Sequence, residues 1–387
     1  MSNLEELIKQ YCPDGVEFVE IGQIAQVGTG SSNGNEADEE GAFPFFVRSQ
    51  TVKRKNDYEY DEEAIIIPGE GGIGDIFHYI KGKYALHQRV YRIHFTTPSI
   101  NTKFAFYYMK SAFKQFILMK AVSATVVSIR KPMIEGFPIP VPPLPVQEEI
   151  VRILDTFTEL QAELQAELHK RLQQYAYYKN KLLSGDYPTM KIGDITRVFS
   201  ASRVHKNEWK TSGVPFYRSS DVMSFHRGEK NTRGEVFISE ELFEKLSAKS
   251  GKIKIGDLLV TGGGSIGVPY LVSFEPLYVK DADLLCIVKN DILDNRFLYH
   301  YMRSEKFKDY LSSITHDATI AHYTISQIKE TPVPVPTWDE QQRIITILDK
   351  FDTLTNDLSQ GLPAEIEARR KQYEYYRDQL LTFKQKA

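Results

Sequence analysis

The sequence repeats itself at an almost constant spacing, and this repeat constrains the fold more than any other feature. Each copy has a ladder of alternating prolines, then a glutamine, then an apolar helical run that ends in Leu-Asp-x-Phe, at residues 139–157 and 333–351. Corresponding residues such as Leu154 and Leu348 lie 194 positions apart, about half of the 387 residues. A chain built in this way is expected to have a pseudo-twofold axis, and such axes usually face a partner with twofold symmetry of its own.

Both copies continue into a long helical pattern that ends in Gln-Tyr-x-Tyr-Tyr and a later Leu-Leu, at residues 174–183 and 372–381. Apolar residues recur at 3- and 4-residue spacing, which is close to a coiled-coil seam. The second copy has four additional residues and contains Gly361 and Pro363, so we expect its helix to kink or restart there. We expect the two helices to pair antiparallel through an apolar seam that also serves as an assembly surface: Ile150, Leu154, Phe157, Leu164, Ile344, Leu348, Phe351 and Leu358.

The remainder of each half repeats more loosely. Residues 15–136 and 190–330 alternate β-rich runs, including 85–95, with glycine turns and then offer a helix, at 103–120 and 296–312. The second half carries extra residues within the charged stretch 227–254. The predicted fold class is α+β, with two pseudo-symmetric globules separated by a pair of long antiparallel coiled-coil helices. The predicted segments are 1–136 and 187–330 for the globules, and 137–186 and 331–387 for the ladders with their helices.

Composition narrows the class of protein. A chain that is 42% hydrophobic and 26% charged is an ordinary globular protein. Cys12 and Cys286 are too far apart in sequence to suggest a metal cluster or a disulfide framework, and the acidic N-terminus precedes no apolar run. We therefore expect a cytoplasmic protein without a membrane span. The net charge of −3 argues mildly against a chain that coats nucleic acid by itself, although basic residues gather in both globules.

The repeated motifs resemble the conserved regions of a known family. The ladders, the Ile-x-x-Ile-Leu-Asp-x-Phe runs and the Gln-Tyr-x-Tyr-Tyr endings are similar to the central and C-terminal conserved regions of type I restriction-modification specificity subunits, and residues 12–17 are similar to a common opening of that family. The resemblance implies two target-recognition domains, each reading one half of a bipartite target in double-stranded DNA. It further implies that the helices bind two modification (adenine methyltransferase) subunits and, through them, restriction subunits, with S-adenosylmethionine on the modification subunits and no cofactor in this chain.

Corresponding loops of the two globules carry side chains that suit DNA. Arg48, Ser49 and Gln50 end a predicted strand in the first half, as do Arg218, Ser219, Ser220 and Asp221 in the second. Arginine suits guanine, glutamine suits adenine and aspartate suits cytosine, although a salt-bridged strand end is the alternative. The arginine common to both halves favours phosphate or framework contacts, and Gln50 and Asp221 are better candidates for specificity. Further candidates, each also consistent with an ordinary polar loop, are Ser31, Ser32, Gln88, Arg89, Thr125, Arg203, Lys280, Asp281, Thr319, His322 and Tyr323.

Catalytic motifs are absent from the sequence. Residues 69–74 and 262–267 match G-x-G-x-x-G, but strand-like residues follow each match, which favours hairpin turns over a dinucleotide fingerprint. The sequence contains no methyltransferase Asn-Pro-Pro-Tyr, no P-loop and no paired metal ligands, so we expect a non-catalytic specificity subunit. The alternative is a protein-interaction scaffold, or an inactive or antirestriction relative without sequence-specific DNA binding.

Overall fold

The computed structural model describes residues 2–72, 74–120, 128–226, 235–315, 322–357 and 360–386. The chain forms two compact units: unit 1 comprises residues 1–163 and 367–387, and unit 2 comprises residues 164–366. Each unit combines helices with β-sheet, and a 40-residue helix runs from unit 1 into unit 2, which confirms the predicted α+β class. The four predicted segments divide the chain differently and stay a prediction.

The elements follow the repeat. The helices are α1 (Ser2–Tyr11), α2 (Ile21–Ile24), α3 (Thr102–Lys120), α4 (Lys131–Glu135), α5 (Leu144–Leu183), α6 (Ile192–Ile195), α7 (Ser219–His226), α8 (Glu240–Ser250), α9 (Asn295–Met302), α10 (Glu305–Thr315), α11 (Ile325–Glu330), α12 (Trp338–Asn356) and α13 (Leu362–Leu380). The strands are β1 (Phe18–Glu20), β2 (Ala25–Thr29), β3 (Phe43–Phe46), β4 (Lys53–Lys55), β5 (Tyr60–Pro68), β6 (His78–Leu86), β7 (Val90–Phe95), β8 (Pro138–Pro140), β9 (Thr189–Lys191), β10 (Val198–Ser200), β11 (Val214–Tyr217), β12 (Phe237–Ile238), β13 (Leu258–Thr261), β14 (Pro269–Leu271), β15 (Tyr278–Val279), β16 (Leu284–Ile287) and β17 (Pro332–Pro334). In the described residues, no helix is sufficiently long and apolar to cross a membrane.

Unit 1 is centred on a six-stranded sheet in the order β2-β7-β5-β6-β3-β4. The central strand β5 carries a continuous apolar run, and α3 packs on it with fully buried phenylalanines such as Phe104 and Phe113. The prediction of one β-rich run over 85–95 is wrong in detail, because β6 ends at Leu86 and β7 begins at Val90. The intervening His87 donates its N–H to Phe46 O at 3.0 Å, which ties the reversal to β3.

Unit 2 repeats this arrangement with two interruptions. Its sheets have the orders β10-β16-β13-β14 and β12-β11-β15, because the counterpart of β6 is divided into β14 and β15. Pro276 lies between these two strands and has no N–H for a ladder hydrogen bond. The predicted helix 296–312 is two helices, α9 and α10. Ser304 separates them, because its hydroxyl accepts a hydrogen bond from Phe307 N at 3.3 Å and thereby caps α10.

The proline ladders form β8 and β17, which pair antiparallel with β1 and β9. In unit 1 the C-terminal segment joins this region, because Val16 N donates to Lys384 O and Lys386 N donates to Val16 O, both at 2.9 Å. Residues from both ends of the chain therefore complete unit 1.

A buried glutamine fastens each ladder to its helix. Gln147 accepts a hydrogen bond from Asn101 N at 2.8 Å and donates to Ser99 O at 2.8 Å and Pro142 O at 2.6 Å. In unit 2, Gln341 makes the same three contacts with the corresponding backbone groups, which are Asp294 N, Ile292 O and Pro336 O. Both glutamines are fully buried. The glutamine that recurs in the sequence thus links the globule, the ladder and the long helix of its unit through buried hydrogen bonds.

The long helices differ as predicted. The first is continuous as α5, whereas the second ends as α12 at Asn356 and restarts as α13 at Leu362. Gly361 permits this break, since a Cβ there would lie 2.4 Å from Thr353 O. The chain passes from unit 1 to unit 2 along α5 and returns through α12 and α13.

Aromatic side chains hold the helices within each unit. Phe157 packs on Tyr373 and Tyr376 in unit 1, with ring centroids 6.4 and 5.5 Å away. In the same way, Phe351 packs on Tyr175 and Tyr178 in unit 2, at 5.9 and 5.7 Å. The middle tyrosine of each motif points outward instead, because Tyr177 is 60% exposed and Tyr375 is 61% exposed.

Half of the predicted seam residues pack in the hydrophobic cores of the two units. Ile150, Leu154, Ile344 and Leu348 are fully buried in the hydrophobic cores, so they offer no exposed surface to a partner. Phe157, Phe351 and Leu164 are partly buried, and Leu358 lies outside the described residues.

Candidate nucleic-acid interface

Backbone hydrogen bonds in unit 1 bring several predicted loops together, and we call residues 31–33, 48–50, 69–72 and 87–89 the first loop cluster. Ser32 N donates to Leu86 O at 3.3 Å, and Gln88 N donates to Ser32 O at 3.0 Å. Gly69 N donates to Arg89 O at 2.9 Å. The loop 31–33, the glycine turn and the β6–β7 turn are therefore neighbours in the fold although they are far apart in sequence.

The glycine turn is shaped by its backbone. It joins β5 to β6 as a hairpin, which agrees with the strand-like residues after the motif. Gly71, Gly72 and Gly74 have φ between 70° and 75°, a region that residues with a side chain rarely adopt. Ile129 N donates to Gly69 O at 2.8 Å, so the start of the described segment 128–226 is fixed to this turn. Thr125 itself lies outside the described residues.

A carboxylate in the glycine turn holds two of the predicted arginines, and we call Glu70, Arg48 and Arg89 the arginine clamp. Arg89 Nη1 donates to both Glu70 carboxylate oxygens at 2.9 Å, and Arg48 Nη1 donates to Oε2 at 3.1 Å. The hydrogen bonds from Arg89 and then Arg48 hold the pKa of Glu70 below its usual range. The arginine side chains remain 49% and 57% exposed, for Arg48 and Arg89 respectively. The clamp therefore presents two oriented guanidinium groups to solvent.

Two of the backbone hydrogen bonds of the glycine turn have counterparts in unit 2, where we call residues 200–203, 218–221, 262–264 and 280–283 the second loop cluster. Gly262 N donates to Asp283 O at 2.9 Å, as Gly69 N does to Arg89 O. Tyr323 N donates to Gly262 O at 2.9 Å, as Ile129 N does to Gly69 O. The positions of the loops are thus set by backbone groups that recur in both halves.

The side chains of the second loop cluster differ from those of the first. Arg218 donates through Nε and Nη2 to the Asp221 carboxylate at 2.9 and 2.8 Å, and these side chains are only 13% and 2% exposed. Lys280 Nζ lies 2.6 Å from Asp283 Oδ2. Gly263 stands at the position that Glu70 occupies in unit 1. In the second cluster Arg203 is exposed, whereas Arg218 and Lys280 are partly buried and each is paired with an aspartate.

The predicted contact residues divide by exposure. Ser31, Arg48, Gln50, Gln88, Arg89, Arg203 and His322 are exposed, while Ser49, Arg218, Ser219, Ser220, Lys280 and Asp281 are partly buried. Ser32, Asp221 and Tyr323 are buried, and Thr319, like Thr125, lies outside the described residues.

Two of the three buried residues are held by contacts inside unit 2, and their role in DNA binding stays a prediction. Tyr323 is fully buried, and its hydroxyl lies 2.5 Å from Thr331 Oγ1. Asp221 is held by Arg218 beneath the surface. Sequence reasoning also missed Glu70, although a usable signal existed: a carboxylate stands in the glycine turn of one copy of the repeat, where the other copy has glycine.

Comparison with known proteins identifies the family. The model of the type I restriction modification DNA specificity domain matches residues 13–174 and again residues 185–368, which is most of the chain. The chain belongs to this specificity family.

Individual relatives agree. The chain is 32% identical over 359 residues, covering 89% of each protein, to a putative type I restriction enzyme specificity subunit of Haemophilus influenzae. It is 35% identical over 260 residues to the specificity subunit of EcoR124I and EcoR124II from Escherichia coli, covering 64% of this chain and 63% of the relative. The type I S subunit of M. genitalium has a TM-score of 0.59 at 18% identity over 95% of each chain, which shows a shared fold.

Proposed function

We propose that this chain is the DNA-reading subunit of a type I restriction-modification assembly, in which each unit reads one half of a bipartite target in double-stranded DNA. The observation that carries the proposal is the loop cluster that occurs once in each unit, with corresponding backbone hydrogen bonds at the glycine turn and different exposed side chains. A common backbone with different base-reading groups suits two different half-sites.

The catalytic chemistry in this proposal belongs to the partners. Two modification subunits bind S-adenosylmethionine and methylate adenine, and restriction subunits join through them, while this chain binds no cofactor and catalyses no step. The net charge of −3 fits a chain that does not hold DNA alone, since neutralisation of phosphates supplies much of the affinity of DNA-binding proteins. The modification subunits then provide much of the phosphate contact, in the cytoplasm.

The helices have two roles in this proposal: they set the distance between the half-sites and they dock the modification subunits. Because Ile150, Leu154, Ile344 and Leu348 are buried within the units, the docking surface consists of other helix residues. Exposed side chains that recur in both halves, such as Tyr177 and Tyr375, are the candidates.

Exchange of one globule tests the independence of the units. Residues 15–136 are replaced by the corresponding segment of another family member, and the complex is expressed with the modification subunits encoded beside it. We expect sequencing of methylated DNA to show one altered half-site and one unchanged half-site. A change in both half-sites would contradict independent reading, and the absence of any sequence dependence in the natural complex would favour a scaffold.

Lengthening of α5 tests the spacer. Duplicating residues 158–161 adds about 6 Å of helix, which is close to two base pairs of DNA, and rotates the following residues by about 40°. We expect both half-sites to be retained and the unspecified spacer to lengthen by about one or two base pairs. Glu159→Gln, which keeps the helix length, is the control. Full activity with an unchanged spacer would show that α5 does not set the distance.

A further inference from the structure

We infer that Glu70 positions Arg48 and Arg89 so that they read a guanine in the half-site of the first unit. This inference rests on the proposed function and names the base and the residues at one of its two sites. The arginines are the groups that contact the base, and Glu70 is a positioning residue that acts through them.

The clamp leaves suitable donors for a base. Each arginine uses Nη1 for Glu70, and neither Nε nor Nη2 of Arg48 or Arg89 has a hydrogen-bond partner in the described part of the chain. The guanidinium plane is fixed on one side by the carboxylate, which leaves the rest of the rigid fork directed elsewhere. Arginine donating to guanine O6 and N7 is the commonest specific contact in the major groove.

The charge balance of the clamp favours a base over a phosphate. A phosphate anchor depends on net positive charge, whereas the carboxylate of Glu70 partly neutralises the two arginines and repels phosphate oxygens. Guanine O6 and N7 are uncharged acceptors, so Glu70 repels them far less while it still orients the donors. The carboxylate therefore lowers the affinity of this position for phosphate, while it orients the arginine donors toward the acceptors of a base.

The backbone places Glu70 for this role. Gly69 N is bonded to Arg89 O, which brings the next residue beside the Arg89 side chain. A Cβ on Gly71 would lie 3.3 Å from Arg48 O, so the turn also passes close to the end of β3. The three groups of the clamp thus come from three loops whose positions are fixed by the fold.

Unit 2 provides the contrast. Arg218 corresponds to Arg48 in sequence, but its Nε and Nη2 donate hydrogen bonds to Asp221 and its side chain is mostly buried. Gly263 replaces Glu70, and Lys280, which is partly buried and paired with Asp283, is a point charge without a planar fork. The expectation that the shared arginine belongs to the framework therefore fits Arg218, whereas Arg48 is available to DNA.

The test uses the full chain assembled with the modification subunits encoded beside it, and a library of random-sequence duplexes as the probe. Methylated products are sequenced for the natural protein and for Glu70→Gln. An amide can accept from the arginines, but its NH₂ group opposes their donors, so the fork loses its orientation. We expect a guanine in one half of the natural motif, and about tenfold or greater loss of its discrimination in Glu70→Gln.

Three controls make the result decisive. Glu39→Gln removes the same charge from an exposed acidic residue of the same unit, and we expect its motif to be unchanged. Arg48→Lys and Arg89→Lys keep the charge but remove the fork, and we expect each to lose selection at the same base. The unchanged second half-site shows that the variants fold and assemble.

Other outcomes separate the two proposals. A natural motif with two half-sites that Glu70→Gln leaves unaltered would overturn this inference alone. Weaker binding to all sequences, with a smaller dependence on salt, in the charge-removing variants Arg48→Gln and Arg89→Gln would assign the arginines to phosphate and also overturn it. The absence of any sequence-dependent methylation by the natural complex would reject the proposed function itself.

Discussion

Replacement of the buried glutamine that follows each proline ladder should destabilise one unit at a time. Gln147→Leu keeps nearly the same volume and removes three hydrogen bonds, to Asn101 N, Ser99 O and Pro142 O. Gln341→Leu removes the equivalent three from unit 2. The pair forms a matched experiment, because the geometry and the burial are the same in both units.

The magnitude follows from the groups that lose their partners. Three hydrogen bonds at a net value of about 1 kcal/mol each give about 3 kcal/mol. Pro142 is buried, so its carbonyl oxygen adds an unsatisfied-acceptor cost of about 1 to 3 kcal/mol, whereas water reaches the exposed Ser99. Leucine recovers part of this by burying apolar surface. We therefore expect the free energy of unfolding of unit 1 to fall by about 3 to 5 kcal/mol.

Amide hydrogen exchange measures the stability of each unit separately, which is needed because unfolding of a chain with two units need not be two-state. In Gln147→Leu, we expect faster exchange of the slowest amides of β5 and α3 with no change in β13 and β16, and the reverse for Gln341→Leu. Gln165→Leu, at an exposed position of α5, is the control and should change stability by less than about 0.5 kcal/mol. A loss below about 1 kcal/mol, or an equal loss in both units, would refute the reasoning.

Three further predictions concern the helices of the two units. Phe157→Ala and Phe351→Ala should each lower the unfolding free energy of their own unit by about 2 to 3 kcal/mol, measured by the same exchange experiment, because each ring packs on two tyrosines and is partly exposed. Gly361→Ala should destabilise unit 2 in urea unfolding, because its Cβ would meet a backbone carbonyl oxygen at 2.4 Å. Burial acts to raise the pKa of Asp349, but the interactions with His300 and Arg296 outweigh it and hold the pKa below its usual range. The resulting stability is present above the ordinary aspartate pKa and is lost as the pH falls through the folded-state pKa, so Asp349→Asn should flatten that part of an acid-unfolding curve of unit 2.

The parts of the fold that the sequence predicts are those with local signals. Alternating prolines cannot donate to a central ladder, so their place in two-stranded pairs follows from covalent chemistry. The break between α12 and α13 follows from Gly361 and Pro363, and the hairpin turns follow from glycines before strand-like residues. Each of these features depends on residues within a few positions of one another.

Contacts between residues that are far apart in sequence cannot be predicted from such local signals. Glu70 lies 22 positions from Arg48 and 19 from Arg89, and no local pattern brings these three together. By contrast, Arg218 and Asp221 are only three positions apart, a spacing that allows an ion pair at a helix start, yet the sequence does not show that the pair is buried. The burial of Tyr323 also depends on residues far away in sequence, since Tyr323 packs in the core of unit 2 although its neighbour His322 is exposed.

In the loop clusters, main-chain hydrogen bonds hold the loops in position, whereas the exposed side chains determine what the loops offer to a partner. Gly69 N to Arg89 O and Gly262 N to Asp283 O are bonds between main-chain atoms, so they persist whatever side chains the partner residues carry. Substitutions of the exposed side chains therefore leave the loop positions intact and cost little stability, since surface substitutions are usually within about 0.5 kcal/mol. These substitutions change the donors and acceptors offered to a partner, as the difference between Arg89 and Asp283 at matching positions illustrates. A shared backbone of this kind allows the two halves of one chain to acquire different targets without any change in how either half folds.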